Sequence, residues 1–185
     1  MVIVESLRGR LLLASPALLE ATFRQTVVLI AEHTRDGAMG LVLNRPATTL
    51  VAEAVPDLAA LAAPGEPVYV GGPVAEDSVI VLAEFDDPAL AGVVLDGDLG
   101  FVGSGAEDLD AVAGATRRTR VYAGHAGWGP GQLEGELEEA SWIVEPPLRE
   151  ELFAADPDSL WASILRRKGR DYALLATMPP DPSLN

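Results

Sequence analysis

Short runs of aliphatic and β-branched residues, separated by turns that contain glycine and proline, dominate the hydrophobic pattern of this chain. Runs of this length, bounded by turn residues, are typical of buried β-strands. Asp-Gly and Gly-Gly-Pro turns separate several of them. The pattern predicts strands at residues 11–14, 26–31, 41–43, 68–70, 78–83, 93–95, 101–102, 120–123, 142–145 and 172–176.

Helix-start signals mark five further stretches. Ser104 with Glu107 three residues later forms a capping box, which predicts a helix that begins at residue 105. Pro130 suits the first turn of a helix, and so does the Asp156-Pro157 pair. The predicted helices cover residues 49–55, 105–114, 130–139, 148–153 and 159–168.

The order of these elements indicates the fold class. Strands outnumber helices and do not alternate regularly with them, which favours an α+β fold over a doubly wound α/β sheet. A chain of 185 residues has the length of one domain. We therefore predict a single domain over residues 1–185, with a mixed, twisted sheet flanked by helices.

Composition narrows the classes of function. The formal net charge is −15, from 28 acidic and 13 basic residues. A nucleic-acid binder gains most of its affinity from lysine and arginine contacts to phosphates, so the acidic charge argues against nucleic acid as a partner. The absence of cysteine excludes disulfides and thiolate chemistry. No apolar leader or membrane span is visible, so we expect a soluble, cytoplasmic protein.

The segment from Gly124 to Trp142 is the most unusual part of the sequence. Its first eight residues, GHAGWGPG, contain four glycines beside a large aromatic side chain, and an acidic helix is predicted directly after them. Glycine is needed where φ is positive or where another group approaches the backbone closely. This predicts a tightly built turn. The residues that we select as candidates for binding a ligand or partner are Arg45, Gly127, Trp128, Gln132 and Glu134.

Three of these candidates have alternative interpretations. The forked guanidinium of Arg45 could bind a carboxylate or phosphate, but an ion pair within the protein is the preferred interpretation. Gln132 and Glu134 could face a cleft or a basic partner, or they could lie on a short acidic surface helix that packing holds in place. The second interpretation is again the simpler one.

No constellation of known catalytic chemistry is present. His33 and His125 are the only histidines. On a strand, Glu32 and His33 point to opposite faces and cannot both ligate one metal ion. Ser104 lacks the glycine spacing of a nucleophile elbow and is better explained as a helix cap. The glycines before residue 132 also miss the dinucleotide-binding spacing. We predict no catalytic residue, no metal and no cofactor.

Several sequence blocks, in order over nearly the whole chain, carry a family resemblance. The blocks are residues 23–28, 32–33, 37–40, 44–46, 71–74, 127–128, 130–134, 142, 161, 169 and 171. Together they resemble the AlgH/YqgE family of bacterial proteins. The resemblance implies a compact fold in which a partly barrel-like mixed sheet is surrounded by helices. It also carries a loose association with transcriptional control, but no established reaction. His125 departs from the family pattern, where a bulkier aromatic is expected.

Three hypotheses for function remain. The first is a non-catalytic protein that binds an unknown protein or small molecule and could act in regulation. It predicts that Trp128→Ala weakens binding of the partner without unfolding the protein. The second is a metal-independent enzyme that uses Arg45, His33 or His125 with a carboxylate such as Glu134. The third is a transcriptional regulator that contacts DNA, which the charge disfavours.

Overall fold

The computed structural model describes residues 5–18 and 20–179 of the chain. The chain divides into two compact units, the first formed by Met1–Arg45 with Ala126–Asn185 and the second by Pro46–His125. A single domain over residues 1–185 stays a prediction. In the part of the chain that the structure describes, no helix is long and apolar enough to cross a membrane.

Strands outnumber helices, as predicted, and the α+β class is confirmed. The strands are β1 Leu11–Ala14, β2 Val27–Thr34, β3 Gly37–Val42, β4 Pro46–Leu50, β5 Pro67–Val70, β6 Val74–Phe85, β7 Val93–Asp96, β8 Leu99–Phe101, β9 Thr116–Trp128 and β10 Trp142–Glu145. The helices are α1 Val51–Ala54, α2 Leu109–Gly114, α3 Gln132–Glu138, α4 Arg149–Leu152, α5 Leu160–Lys168 and α6 Arg170–Leu175, with 3₁₀ helices at Pro56–Leu61 and Pro88–Leu90.

In the first unit the strands pair in the order β10, β1, β2, β3 and the last three residues of β9, with every pair antiparallel. All four residues of β1 and the first five of β2 are buried, which explains why these strands are uninterrupted aliphatic runs. Three aromatic rings add edge-to-face contacts to this core. Trp142 lies between Phe23 at 5.8 Å and Trp128 at 6.0 Å, measured between ring centroids.

In the second unit the strands pair in the order β4, β5, β9, β6, β8 and β7. The β5–β9 pair is parallel and the others are antiparallel, so the sheet is mixed, as predicted. One face of this sheet packs against α1, α2 and the 3₁₀ helix Pro56–Leu61. The buried residues of that core are Val51, Leu61, Val68, Val81 and Val121.

One predicted element is wrong, and two predicted helices are shorter than expected. Residues 172–175, predicted as a strand with Ala176, belong to helix α6, and Ala176 is its C-cap. The predicted helix 49–55 shrinks to α1, because residues 46–50 pair with β5 as strand β4. The capping box at Ser104 does not form, and α2 begins at Leu109. Its cap is Asp108, whose carboxylate accepts from the Ala111 N–H at 2.9 Å.

The glycine segment is also built differently from the prediction. Residues 124–128 continue strand β9, and the turn comes only afterwards. Gln132 N donates to Gly129 O at 3.1 Å, and Gly131 lies at φ 73°. Proline followed by a left-handed glycine is the signature of a type II turn. Pro130 therefore precedes α3 by two residues and does not occupy its first turn.

Ala140 closes the C-terminus of α3 in a left-handed conformation, at φ 56°. Ser141 N donates to Glu136 O at 2.9 Å, and Ala140 N donates to Leu137 O at 3.0 Å. These two bonds form a Schellman motif, whose left-handed position normally holds glycine. An L-amino acid pays about 1–2 kcal/mol for this conformation.

We therefore expect Ala140→Gly to raise the free energy of unfolding by about 0.5–1 kcal/mol, after the added entropy of the unfolded glycine is subtracted. Urea unfolding measures this change. The matched control is Ala111→Gly within α2, where the same substitution should cost about 0.5–1 kcal/mol. Equal losses in both variants would contradict the left-handed geometry at Ala140.

Candidate functional site

A bulge in β2 determines which side chains reach the interior of the first unit. The register of β2 on β3 shifts between Ile30 and Glu32, so Ala31 is the extra residue. Beyond it, His33 becomes the buried side chain and Glu32 the exposed one. The prediction that these two neighbours point to opposite faces is confirmed.

His33 has hydrogen bonds at both ring nitrogens, and its side chain is 4% exposed. The Leu7 N–H donates to Nδ1 at 3.0 Å. Since Nδ1 accepts a hydrogen bond, the proton of the neutral ring lies on Nε2, which contacts Glu134 Oε1 at 3.0 Å. A general base needs a free nitrogen within reach of its substrate. His33 has none, so the geometry favours a structural role.

Glu134 completes this pair from the first turn of α3. Hydrogen bonds from its own backbone N–H and from the His33 ring hold the pKa of its carboxyl below the ordinary value, against the opposing effect of burial. The predicted candidate Glu134 therefore contacts β2 instead of standing free on an acidic surface helix.

A second carboxylate on α3, Glu136, organises the aromatic residues. Its Oε2 accepts from the indole N–H of Trp128 at 2.9 Å and from that of Trp142 at 2.7 Å. Its Oε1 accepts from Gln132 Nε2 at 3.0 Å, while Gln132 Oε1 accepts from Gly129 N at 3.0 Å. Two predicted candidates, Trp128 and Gln132, are thus brought together by a residue that the sequence analysis did not select.

The burial of Trp128 contradicts one expectation. Trp128 is 6% exposed and belongs to the core of the first unit. Truncation of a buried tryptophan to alanine costs about 3–5 kcal/mol. The sequence-based expectation was that Trp128→Ala would weaken binding without unfolding the protein. Because this substitution also destabilises the fold, it cannot separate an effect on binding from an effect on folding.

The hairpin of β2 and β3 forms an open cleft with Trp128. Its volume is about 210 Å³. Ala38 pairs with Trp128 across β3 and β9, and a Cβ on Gly37 would collide with the main-chain carbonyl of Trp128. Only glycine therefore lets the hairpin close this tightly on β9. The lining residues are Glu32, Thr34, Asp36, Gly37, Ala38, Met39 and Trp128.

The remaining candidates lie outside this cleft. Gly127 is exposed on β9, opposite Met39. Arg45 lies beyond the far end of β3, about 20 Å along an extended chain from Ala38. Its guanidinium donates to the main-chain carbonyls of Arg24 and Asn44, and the ion pair within the protein stays a prediction. Burial lowers the pKa of Arg45, which the charge of Asp158 partly offsets.

His125 belongs to the second unit, where it pairs with Val74. Before it, Gly124 adopts φ 70°, and a Cβ there would lie 2.5 Å from the carbonyl oxygen of Gly72. The two glycine motifs at 71–72 and 124 therefore meet as a close backbone contact. Among residues 5–18 and 20–179, no group of three or more histidine, aspartate or glutamate side chains could hold a metal ion.

Known proteins resemble this chain over most of its length. A sequence model described as AlgH-like matches residues 11–173. A UPF0301 protein of Streptomyces coelicolor is 42% identical over 194 residues, covering 98% of this chain and 97% of the relative. A UPF0301 protein of Mycobacterium tuberculosis is 41% identical over 182 residues, covering 96% and 90%.

Two solved structures share the fold. A crystal structure of a Corynebacterium diphtheriae protein superposes with a TM-score of 0.84 at 28% identity, covering 96% of this chain and 95% of the other. The solution structure of the AlgH protein from Pseudomonas aeruginosa gives a TM-score of 0.71 at 30% identity, covering 97% of each chain. The family resemblance that the sequence blocks carry is confirmed.

The double acceptor role of Glu136 predicts a large effect of its removal. We expect Glu136→Ala to lower the free energy of unfolding by about 2–4 kcal/mol, because two buried indole N–H groups lose their acceptor. Urea unfolding followed by tryptophan fluorescence measures the loss. Glu138→Ala, an exposed glutamate on the same helix, should change stability by less than about 0.5 kcal/mol. Similar losses in the two variants would refute the assignment.

The lowered pKa of Glu134 predicts a pH dependence of stability. A carboxylate with a lower pKa in the folded state stabilises the fold above its unfolded pKa, and this contribution disappears as the pH falls through the folded value. We expect Glu134→Gln to be less stable than the parent at neutral pH, with the gap closing as the pH drops below 4.5. Urea unfolding across a pH series tests this. The control is Glu138→Gln. The difference between its free energy of unfolding and that of the parent should not shrink in the same way as the pH falls.

Proposed function

The chain belongs to the AlgH-like family, and we propose that it is a non-catalytic binding protein whose hairpin cleft holds a basic side chain of a partner. The observation that carries this proposal is the cleft beside Trp128, with apolar residues in its lining and carboxylates among them. Concave sites of this composition bind ligands by burying an apolar stem and orienting a few polar atoms.

The size of the cleft limits what it can take. Pockets for drug-sized ligands usually measure about 300–1,000 Å³. At about 210 Å³, this cleft suits a single side chain or an alkylammonium group better than a nucleotide. Ala38 and Trp128 are buried, so the half-buried and polarisable Met39 offers the main apolar contact for an aliphatic stem and can adapt to its shape.

The charge of the cleft determines the sign of the charge on the ligand that it attracts. Glu32 and Asp36 are both exposed, and among the described residues no cation forms an ion pair with either. Two carboxylates within one small cleft attract a lysine or arginine head group and repel phosphate. The net charge of −15 adds a long-range attraction for basic partners.

The same observations argue against the alternatives. An enzyme built on His33 and Glu134 would need a histidine with a free nitrogen, whereas both nitrogens of His33 are engaged in hydrogen bonds. A regulator that contacts DNA would need a basic face, and the net charge opposes one. We infer that any regulatory role acts through contact with another protein.

The cleft is tested with N-acetyl-arginine amide and N-acetyl-lysine amide, followed by amide chemical-shift titration of the full chain. We expect saturable binding with a Kd of about 1 mM, since a single buried cationic side chain supplies about 4 kcal/mol. Glu32→Gln with Asp36→Asn should weaken it at least about tenfold, because both carboxylates lose their charge. The neutral probe N-acetyl-norleucine amide should bind more weakly to the parent.

The matched control is Glu138→Gln with Glu139→Gln, which removes the same charge from exposed positions of the first unit outside the cleft. This variant should keep at least half of the parent's affinity. Equal weakening in both double variants would show a general charge effect, and shifts that never saturate would contradict a built site.

A further inference from the structure

In the second unit, residues that are neighbours across β5, β9 and β6 form rows on one face of the sheet. Helices cover one such row, and the next row along the strands is uncovered. Val68, Val121 and Val81 lie on β5, β9 and β6 and are buried under α1, α2 and the 3₁₀ helix. Two residues further along, Val70 and Val79 both pair with Ala123. Because side chains alternate with a period of two, this second row extends the same apolar face.

The second row is exposed. Val70 and Val79 are 44% and 41% exposed, and Ala123 between them is half-buried. We call these three residues the valine strip. The strip continues a helix-covered core without a break, whereas an isolated exposed valine has no such continuity.

Acidic residues lie beside the strip. Val74 pairs with His125 and Val79 with Ala123, so residues 75–78 of β6 bulge out opposite Gly124 alone. Glu76 and Asp77 lie at the centre of this bulge and are exposed. The strip is therefore apolar with a negative border.

We propose that the valine strip docks an amphipathic helix of a partner protein, with apolar residues on one side and lysine or arginine on the flank. The chain's own helices cover the neighbouring row in the same way, which makes a helix the matching shape. Charge complementarity selects a basic flank opposite Glu76 and Asp77. A second copy of this chain is a poor occupant, since two molecules of net charge −15 repel each other.

This surface is separate from the cleft of the proposed function. Every residue of the strip and its acidic border belongs to the second unit, and every residue that lines the cleft belongs to the first. The two proposals can therefore fail independently.

The test uses the full chain and a synthetic peptide of about four helical turns, made of leucine on one face and lysine on the other. Its counterpart with glutamate in place of lysine is the charge control. We expect the lysine peptide to shift the amide resonances of the strip and the glutamate peptide to bind at least about tenfold more weakly. The double variant Val70→Thr with Val79→Thr should bind the lysine peptide about tenfold more weakly than the parent does.

A second variant, Glu76→Gln with Asp77→Asn, tests the charged border without touching the apolar residues. It should weaken binding and make the affinity less sensitive to salt. Val93→Thr with Val94→Thr, exposed valines of β7, should leave the affinity unchanged. The cleft variant, Glu32→Gln with Asp36→Asn, shows whether the lysines of the peptide enter the cleft instead. Circular dichroism confirms that each variant is folded.

Four results would overturn the proposal. The two peptides could bind equally well, or the β7 control could weaken binding as much as the strip variant. The cleft variant alone could abolish binding, which would place the peptide in the cleft. Finally, sedimentation could show a dimer that Val70→Thr with Val79→Thr dissociates, which would make a second copy the occupant.

Discussion

The carboxylate of Glu136 is the interaction on which the first unit depends most. Two tryptophan side chains are buried there, and each brings an N–H group that must find an acceptor. One carboxylate oxygen serves both and so ties α3 to β9 and to β10. With α3 held in this position, Leu133 enters the core and Glu134 reaches His33. The pairing of α3 with β2 thus follows from satisfying the polar atoms of two large aromatic residues.

Local sequence signals predicted part of this fold. The strand at residues 11–14 was predicted with its observed bounds, because a short aliphatic run that ends at Ser15-Pro16 is a local signal. The strand predicted at 172–176 failed because its short apolar run fits a helix equally well, and it forms α6. The cap at Ser104 failed because Asp108 offers a competing carboxylate closer to the helix. Strand β4 forms through its pairing with β5, which a local pattern does not contain.

The candidate site was predictable only in part, for a related reason. Gly127, Trp128, Gln132 and Glu134 were selected because glycines beside an aromatic residue are locally conspicuous. The hydrogen bond between His33 and Glu134 joins residues 101 apart in the sequence, and nothing at either position indicates its partner. The bulge at Ala31, which turns His33 inward, is equally invisible, since alternation alone does not reveal an extra residue. Glu136 was missed because one glutamate among many acidic residues carries no signal.

The glycine motifs of this chain are explained by packing rather than by chemistry. Gly37 allows the hairpin to approach the carbonyl of Trp128, and Gly124 allows the approach of Gly72. These contacts account for the motifs without a ligand, so the motifs themselves are no guide to function. Function must instead be sought where packing leaves something unexplained. Among the described residues those places are the two exposed carboxylates, Glu32 and Asp36, that line the small cleft, and the apolar row that the helices of the second unit leave uncovered. Both have an acidic border, and the net charge of −15 makes a basic partner the natural complement of each.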